Sequence, residues 1–151
     1  MGVAALQQTL LSHKLLCIDT NVLIYLLDNH PHYVELSATI MRAIETGQVL
    51  GVTSMLTLAE VLTQPARMGN HQVLQDYELY LTNFPNLTLQ PVDAAVAREA
   101  VRVRGAYKVK LPDAIQLATA RLTNADGIIS NDKDWRGKTG AAALLLLDDY
   151  L

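Results

Sequence analysis

Short, largely apolar runs recur along this chain, and amphipathic segments of helical period separate them. The runs are Leu15–Ile18, Gln48–Thr53, Leu87–Leu89, Gly127–Ser130 and Leu144–Leu147. Strands that are apolar on both faces belong in a sheet covered on both sides, and intervening helices are what join parallel strands. The pattern therefore predicts an α/β fold: a Rossmann-like parallel sheet flanked by helices on both faces. No repeat, low-complexity stretch or long linker divides the chain. Residues 15–151 read as one domain, preceded by an extension, 1–14, in which Val3, Leu6 and Leu10 have helical spacing.

Between the strands, Thr20-Asn21 supplies a cap for a helix over Val22–Leu27, and His32–Glu45 forms a second, stopped by Gly47. Ser54 caps a helix carrying Leu58, Val61 and Leu62 toward Pro65. Further helices are expected over Asn70–Leu81, after Asp93, and from Pro112, which suits a first helical turn. Half of the 151 residues are hydrophobic and 18% are charged, enough apolar material for a core and too little charge for disorder. The net charge of −3 excludes a uniformly basic nucleic-acid coat, though not a local basic face. The single cysteine, Cys17, excludes an internal disulfide and fits a reducing compartment. No apolar run approaches a membrane span. Residues 1–14 lack the basic start of a signal peptide, so the expected location is cytoplasmic.

Four acids stand where apolar segments meet turns or helices: Asp19, Glu60, Asp113 and Asp132. Each has a structural explanation by itself. Asp19 and Asp113 can cap helices, Glu60 can face solvent and Asp132 can form a turn. As a set they say more. Residues distant in sequence converge at the carboxyl ends of parallel strands. Clustered carboxylates repel unless a cation joins them, and an oxygen-only ligand set favours Mg²⁺ or Mn²⁺. Glu60 is the least easily explained, being flanked by Leu58, Ala59, Val61 and Leu62.

The segments Ile18-Asp19-Thr20-Asn21-Val22-Leu23-Ile24, Thr53-Ser54-Met55-Leu56-Thr57-Leu58-Ala59-Glu60-Val61-Leu62, Leu111-Pro112-Asp113-Ala114-Ile115-Gln116-Leu117-Ala118 and Ile129-Ser130-Asn131-Asp132-Lys133-Asp134-Trp135 resemble, in order and spacing, the four motifs of PIN-domain nucleases. Within that family they are most similar to VapC-type ribonuclease toxins. The resemblance implies a Mg²⁺ or Mn²⁺ site on Asp19, Asp113 and Asp132. Glu60 would ligate through water or orient the nucleophile. Thr20, Asn21 and Ser130 would support, and Asp134 is a fifth acidic candidate. It further implies RNA as substrate, in-line attack leaving a 5′-phosphate and a 3′-hydroxyl, a small antitoxin partner and a homodimer. This chain departs from the family pattern in its dozen residues before the first strand and in Ser130, where Thr is usual.

Two basic groups are candidates for RNA-backbone contact. One is Arg98, Arg102, Arg104, Lys108 and Lys110, with Arg98 and Arg102 one helical turn apart. The other is Lys133, Arg136 and Lys138. His30 and His32 lack further ligands nearby, Cys17 and Trp135 read as core, and Tyr77 and Tyr80 read as packing between helices or at a dimer interface. A phosphatase using Asp19 as nucleophile would want a second Asp two residues on, and position 21 is Asn. A non-catalytic RNA-binding or scaffold module has no positive support, since all four acids are present. No serine-hydrolase elbow or Walker loop occurs.

Overall fold

The computed structural model describes residues 2–151. Five strands, β1 (Leu15–Ile18), β2 (Leu50–Ser54), β3 (Leu87–Gln90), β4 (Gly127–Ser130) and β5 (Ala143–Leu146), form one sheet in the order β3-β2-β1-β4-β5. Every neighbouring pair is parallel, with Cys17 facing Val52 on one side and Ile128 on the other. The helices are α1 (Gly2–Leu11), α2 (Thr20–Leu27), α3 (Val34–Glu45), α4 (Met55–Arg67), α5 (His71–Thr82), α6 (Ala94–Ala106) and α7 (Leu111–Leu122).

Two apolar cores result, one on each face of the sheet. Leu16 and Ile18 point into the first, with Leu6, Leu10, Val22, Ile40, Ile44 and Leu81. Cys17, Val52 and Ile128 point into the second, with Val96, Val103, Leu117 and Trp135. Alternate residues of β1 thus serve opposite cores, which is why the strand carries no polar residue. The leading helix belongs to the first core: Leu6 and Leu10 are fully buried, and α1 packs on α3.

Several local expectations need correction. Asp19, not Thr20-Asn21, caps α2, its carboxylate accepting from the Thr20 N–H. The third helix starts at Val34, because His30–Tyr33 folds as a turn in which His30 packs against Tyr25 and Tyr33. Strand β2 begins at Leu50 rather than Gln48, since Gly47 at φ +79° is followed by backbone bonds from Gln48 and Val49 back to Ala43. Helix α4 runs through Pro65 to Arg67. Proline there forfeits a helical hydrogen bond, and burial of Pro65 beside Ile24, Leu27 and Tyr77 offsets that loss. Strand β5 is Ala143–Leu146, and Leu147 opens a 3₁₀ turn to Tyr150.

Among the described residues, no helix is long and apolar enough to cross a membrane. Chain order reverses direction across the sheet between β1 and β4, and a crevice at such a switch point is where open α/β sheets hold ligands.

Candidate active site

All four acids lie at the carboxyl ends of the strands, beside this switch point. Asp19 directly follows β1, and its N–H donates to Ile129 O of β4 at 2.9 Å. Asp132 lies two residues beyond β4 and caps a 3₁₀ turn, Lys133–Trp135. Asp113 is the third residue of α7, whose N-cap is Lys110, so Asp113 itself is not the cap. Glu60 is in the second turn of α4, which starts where β2 ends.

Asp19 is the most constrained of the four. Its Oδ1 accepts from the Thr20 N–H at 2.8 Å and its Oδ2 from the Ser130 hydroxyl at 2.6 Å. Ser130 in turn accepts from the Asp132 N–H at 3.0 Å, so one hydroxyl joins the first acid to the backbone of the fourth. Burial raises the Asp19 pKa to about 6; the bonds from Ser130 and Thr20 oppose the rise, while the charges of Asp113 and Glu60 add to it. Asp113 is half-buried. Its pKa is also raised, first by burial and then by Asp132, with Glu60 adding; Trp135 and Lys110 pull it back. The indole N–H of buried Trp135 has no hydrogen-bond partner, so it favours the Asp113 carboxylate from beyond bonding distance. Asp113 is therefore the electrostatic centre, acting on Asp19 and acted on by Glu60 and Asp132.

Glu60 departs from the surroundings its neighbours in sequence imply. The flanking apolar side chains leave on other sides of α4, and Glu60 is exposed. Its carboxylate nonetheless accepts from the buried Thr20 hydroxyl at 2.9 Å. Behind that bond lies a polar network absent from the sequence-based site. Thr57 Oγ1 is 3.0 Å from Thr20 Oγ1 and 2.7 Å from Thr53 Oγ1, and it accepts from Gln116 Nε2 at 3.0 Å. Gln116 Oε1 accepts from the Ser54 N–H, and the Thr53 hydroxyl donates to Ile18 O. The first three acid-bearing segments are thus tied together beneath their carboxylates.

Asp134 is exposed, donating its N–H to Asp132 Oδ1 at 2.9 Å. A cleft of about 200 Å³ is lined by Asp113, Asp132, Asp134 and Trp135 together with Lys108, Lys110 and Lys138. Of the basic candidates in the sequence, these three line it, whereas Arg98, Arg102, Arg104, Lys133 and Arg136 do not. Arg98 is exposed on α6, Arg102 pairs with Glu99 at 2.7 Å, Lys133 with Asp148 at 3.2 Å, and Arg136 with Asp149 at 3.5 Å.

The donor set fits a hard divalent cation. It is all oxygen, two of its members have raised pKa values, and Asn21 Oδ1, in the first turn after Asp19, is a buried acceptor with no donor. Carboxylate oxygens that already accept one hydrogen bond keep a further lone pair for ligation. Among the described residues, no three acidic, His or Cys side chains are gathered tightly enough to enclose an ion as they stand, so the cluster is an open one.

A parallel α/β sheet with carboxylates from four separate segments at its switch point defines a class of acid-cluster α/β proteins. The PIN domain model matches residues 16–140, and the chain belongs to the PIN domain family. Its neighbours among solved structures include proteins of VapBC toxin–antitoxin systems. A toxin–antitoxin complex from Klebsiella pneumoniae is 25% identical, with 87% of this chain and 96% of that one covered and a TM-score of 0.63. VapBC2 from Rickettsia felis, bound to a DNA fragment from its promoter, is 14% identical with coverage of 87% and 98% and a TM-score of 0.69. VapC20 from Mycobacterium tuberculosis, a sarcin-ricin loop cleaving toxin, is 16% identical with coverage of 81% and 93% and a TM-score of 0.64. The latter two likenesses speak for the fold. The chain matches no curated protein sequence.

Proposed function

We propose that the protein is a metal-dependent endoribonuclease and the toxin of a toxin–antitoxin pair. The observation that carries this reading is the convergence of Asp19, Glu60, Asp113 and Asp132 at the sheet's switch point within a PIN fold, where Glu60 and Asp113 lie close enough to raise the pKa of Asp19, and Glu60 and Asp132 that of Asp113. Asp19, Asp113 and Asp132 would hold Mg²⁺ or Mn²⁺, with Glu60 joining through water or orienting the nucleophile. When bound, the ion supplies water activation and neutralises phosphate charge.

The chain's own residues prepare that chemistry. Ser130 and the Thr20 N–H fix both oxygens of Asp19, so its carboxylate does not rotate when substrate arrives. The Thr20–Thr57–Gln116 network holds α2, α4 and α7 in register, and with them the acids they carry. Lys108, Lys110 and Lys138 stand at the cleft where an RNA backbone must pass the acids, and none is in an ion pair among the described residues. An inhibitory partner would place an arginine among the carboxylates, since a guanidinium pairs with them bidentately. A homodimer accords with the family resemblance.

Purified protein should cut a structured RNA in Mg²⁺ or Mn²⁺ and stop with EDTA. Asp19→Asn and Asp113→Asn should each abolish cleavage while leaving the circular dichroism spectrum unchanged. Undiminished cleavage by either variant overturns the assignment.

A further inference from the structure

The 3₁₀ turn after β5, Leu147–Tyr150, lies beyond residues 16–140, the span the family model matches. Its Asp148 gathers three segments. Asp148 Oδ1 accepts from the Tyr33 hydroxyl at 2.5 Å, at the entry to α3. Asp148 Oδ2 lies 3.2 Å from Lys133 Nζ. The Asp148 N–H donates to Asn131 Oδ1 at 3.0 Å, and Asn131 Nδ2 returns a longer bond of 3.4 Å to Asp148 Oδ1. Asn131 and Lys133 are the two residues that bracket Asp132.

Apart from Asp148, the loop carrying Asp132 is held by bonds within itself and by buried Trp135 at its far end. Its main chain is tied by the Asp132 N–H to Ser130 Oγ, the Asp134 N–H to Asp132 Oδ1 and the Trp135 N–H to Asp132 O, none of which reaches another segment of the fold. Asp148 adds a clamp on either side of the acid. The clamp is anchored in turn, because the Tyr33 ring stacks on Tyr25 at 4.6 Å and lies 4.8 Å from His30. Tyr25 and Tyr33 both pack against the first core. A ligand side chain on a loop needs such outer support to stay within a fraction of an ångström of its working position.

We propose that Asp148, held by Tyr33, is a positioning residue: by fixing Asn131 and Lys133 it sets the Asp132 carboxylate against Asp113. Lys133 then acts as an anchor of the loop, its charge taken up by Asp148. The inference rests on the nuclease reading for its consequence, though not for the geometry of the clamp.

The test compares the full chain with Asp148→Ala, Asp148→Asn, Tyr33→Phe and Tyr150→Phe. Tyr150→Phe is the control, removing a bond from the same turn to Thr9 on the far side from Asp132. Two readouts besides cleavage apply: amide hydrogen exchange over residues 131–134 in EDTA, and the Mg²⁺ concentration giving half-maximal thermal protection. Asp148→Ala should speed exchange at 131–134 and raise the Mg²⁺ requirement by roughly tenfold. Tyr33→Phe should move both in the same direction by less. Asp148→Asn, which keeps acceptors for Tyr33 and Asn131, should recover most of the loss, and it carries the test with Tyr33→Phe if the alanine variant does not fold. The control should match the parent. Parental exchange in Asp148→Ala, faster exchange with an unmoved Mg²⁺ requirement, or equal effects from Tyr150→Phe would each overturn the positioning role while the parent still cleaves. A parent that neither cleaves nor gains from Mg²⁺ overturns the nuclease reading, and the inference with it.

Discussion

Asp19→Asn offers a test of the acid cluster that requires no substrate. The folded chain ionises Asp19 at about 6, against an ordinary 3.8. Holding that charge corresponds to about 3 kcal/mol of lost stability at neutral pH. A raised carboxyl pKa means that the folded chain binds the proton more tightly than the unfolded chain does. The contribution of Asp19 is therefore most favourable below about 4, falls as pH rises to about 6, and is level above that. The raised pKa of Asp113 adds in the same direction. Asparagine removes the charge but keeps only one oxygen for the two donors, Thr20 N–H and Ser130 Oγ–H, a loss of about 1–2 kcal/mol. The net gain in EDTA at pH 7.5 should be about 1–2 kcal/mol, or roughly 2–8 °C in melting temperature for a chain of this size. At pH 4 the parent carboxyl is largely protonated, so the advantage should vanish and the variant should melt level with or below the parent. Melting curves for both proteins at the two pH values, with chelator, decide the matter. A difference between variant and parent that does not change with pH would refute the argument, because it would mean that the charge on Asp19 costs the fold nothing.

Two further outcomes follow from the same geometry. Gln116→Leu leaves the buried Ser54 N–H without its acceptor and takes a donor from Thr57, so urea denaturation should show a loss of about 2–4 kcal/mol with an unchanged slope, and a loss below 0.5 kcal/mol would mean that the network is not under tension from burial. An inhibitory partner co-purified with the chain should lose inhibition when the arginine nearest the acids is replaced by alanine; inhibition unchanged after every basic residue in the contacting segment is replaced would contradict insertion of a cation.

The sheet was legible because its central strands, β1, β2 and β4, are buried on both faces. Runs such as Leu15–Ile18 and Gly127–Ser130 admit no other placement in a chain this apolar, and both strands have those bounds. Strand and helix ends were less legible where backbone bonds compete. Gln48 and Val49 satisfy their N–H groups at the end of α3 and so join neither helix nor strand. The sequence takes the helix only toward Pro65, because proline opposes helix locally, yet the packing of α2, α4 and α5 around it carries α4 on to Arg67. The 3₁₀ turns at Lys133–Trp135 and Leu147–Tyr150 are too short to show an apolar period; the first is set by the Asp132 cap and buried Trp135, the second by buried Leu147 and the bonds of Asp148.

The site divides along the same line. The acids could be found because a carboxylate at the end of an apolar strand is chemically conspicuous, whereas the groups that hold them are not. Gln116, Thr53 and Thr57 look like ordinary polar residues in helix and strand, and only the fold reveals that all three are buried and bonded to one another. The basic residues mislead in the opposite sense. Arg102 shares a helix with Arg98, but a carboxylate three residues earlier, Glu99, already pairs with it. Lys133 and Arg136 adjoin Asp132 in sequence but turn toward Asp148 and Asp149, while Lys108 and Lys110 reach the cleft from the approach to α7. Nearness in sequence to an acid thus does not by itself decide which cation lines the cleft, since Lys110 and Lys133 both lie within a few residues of one and only Lys110 does so. What decides it is whether another carboxylate stands within reach, and that depends on how β5 and its closing turn come back beside β4.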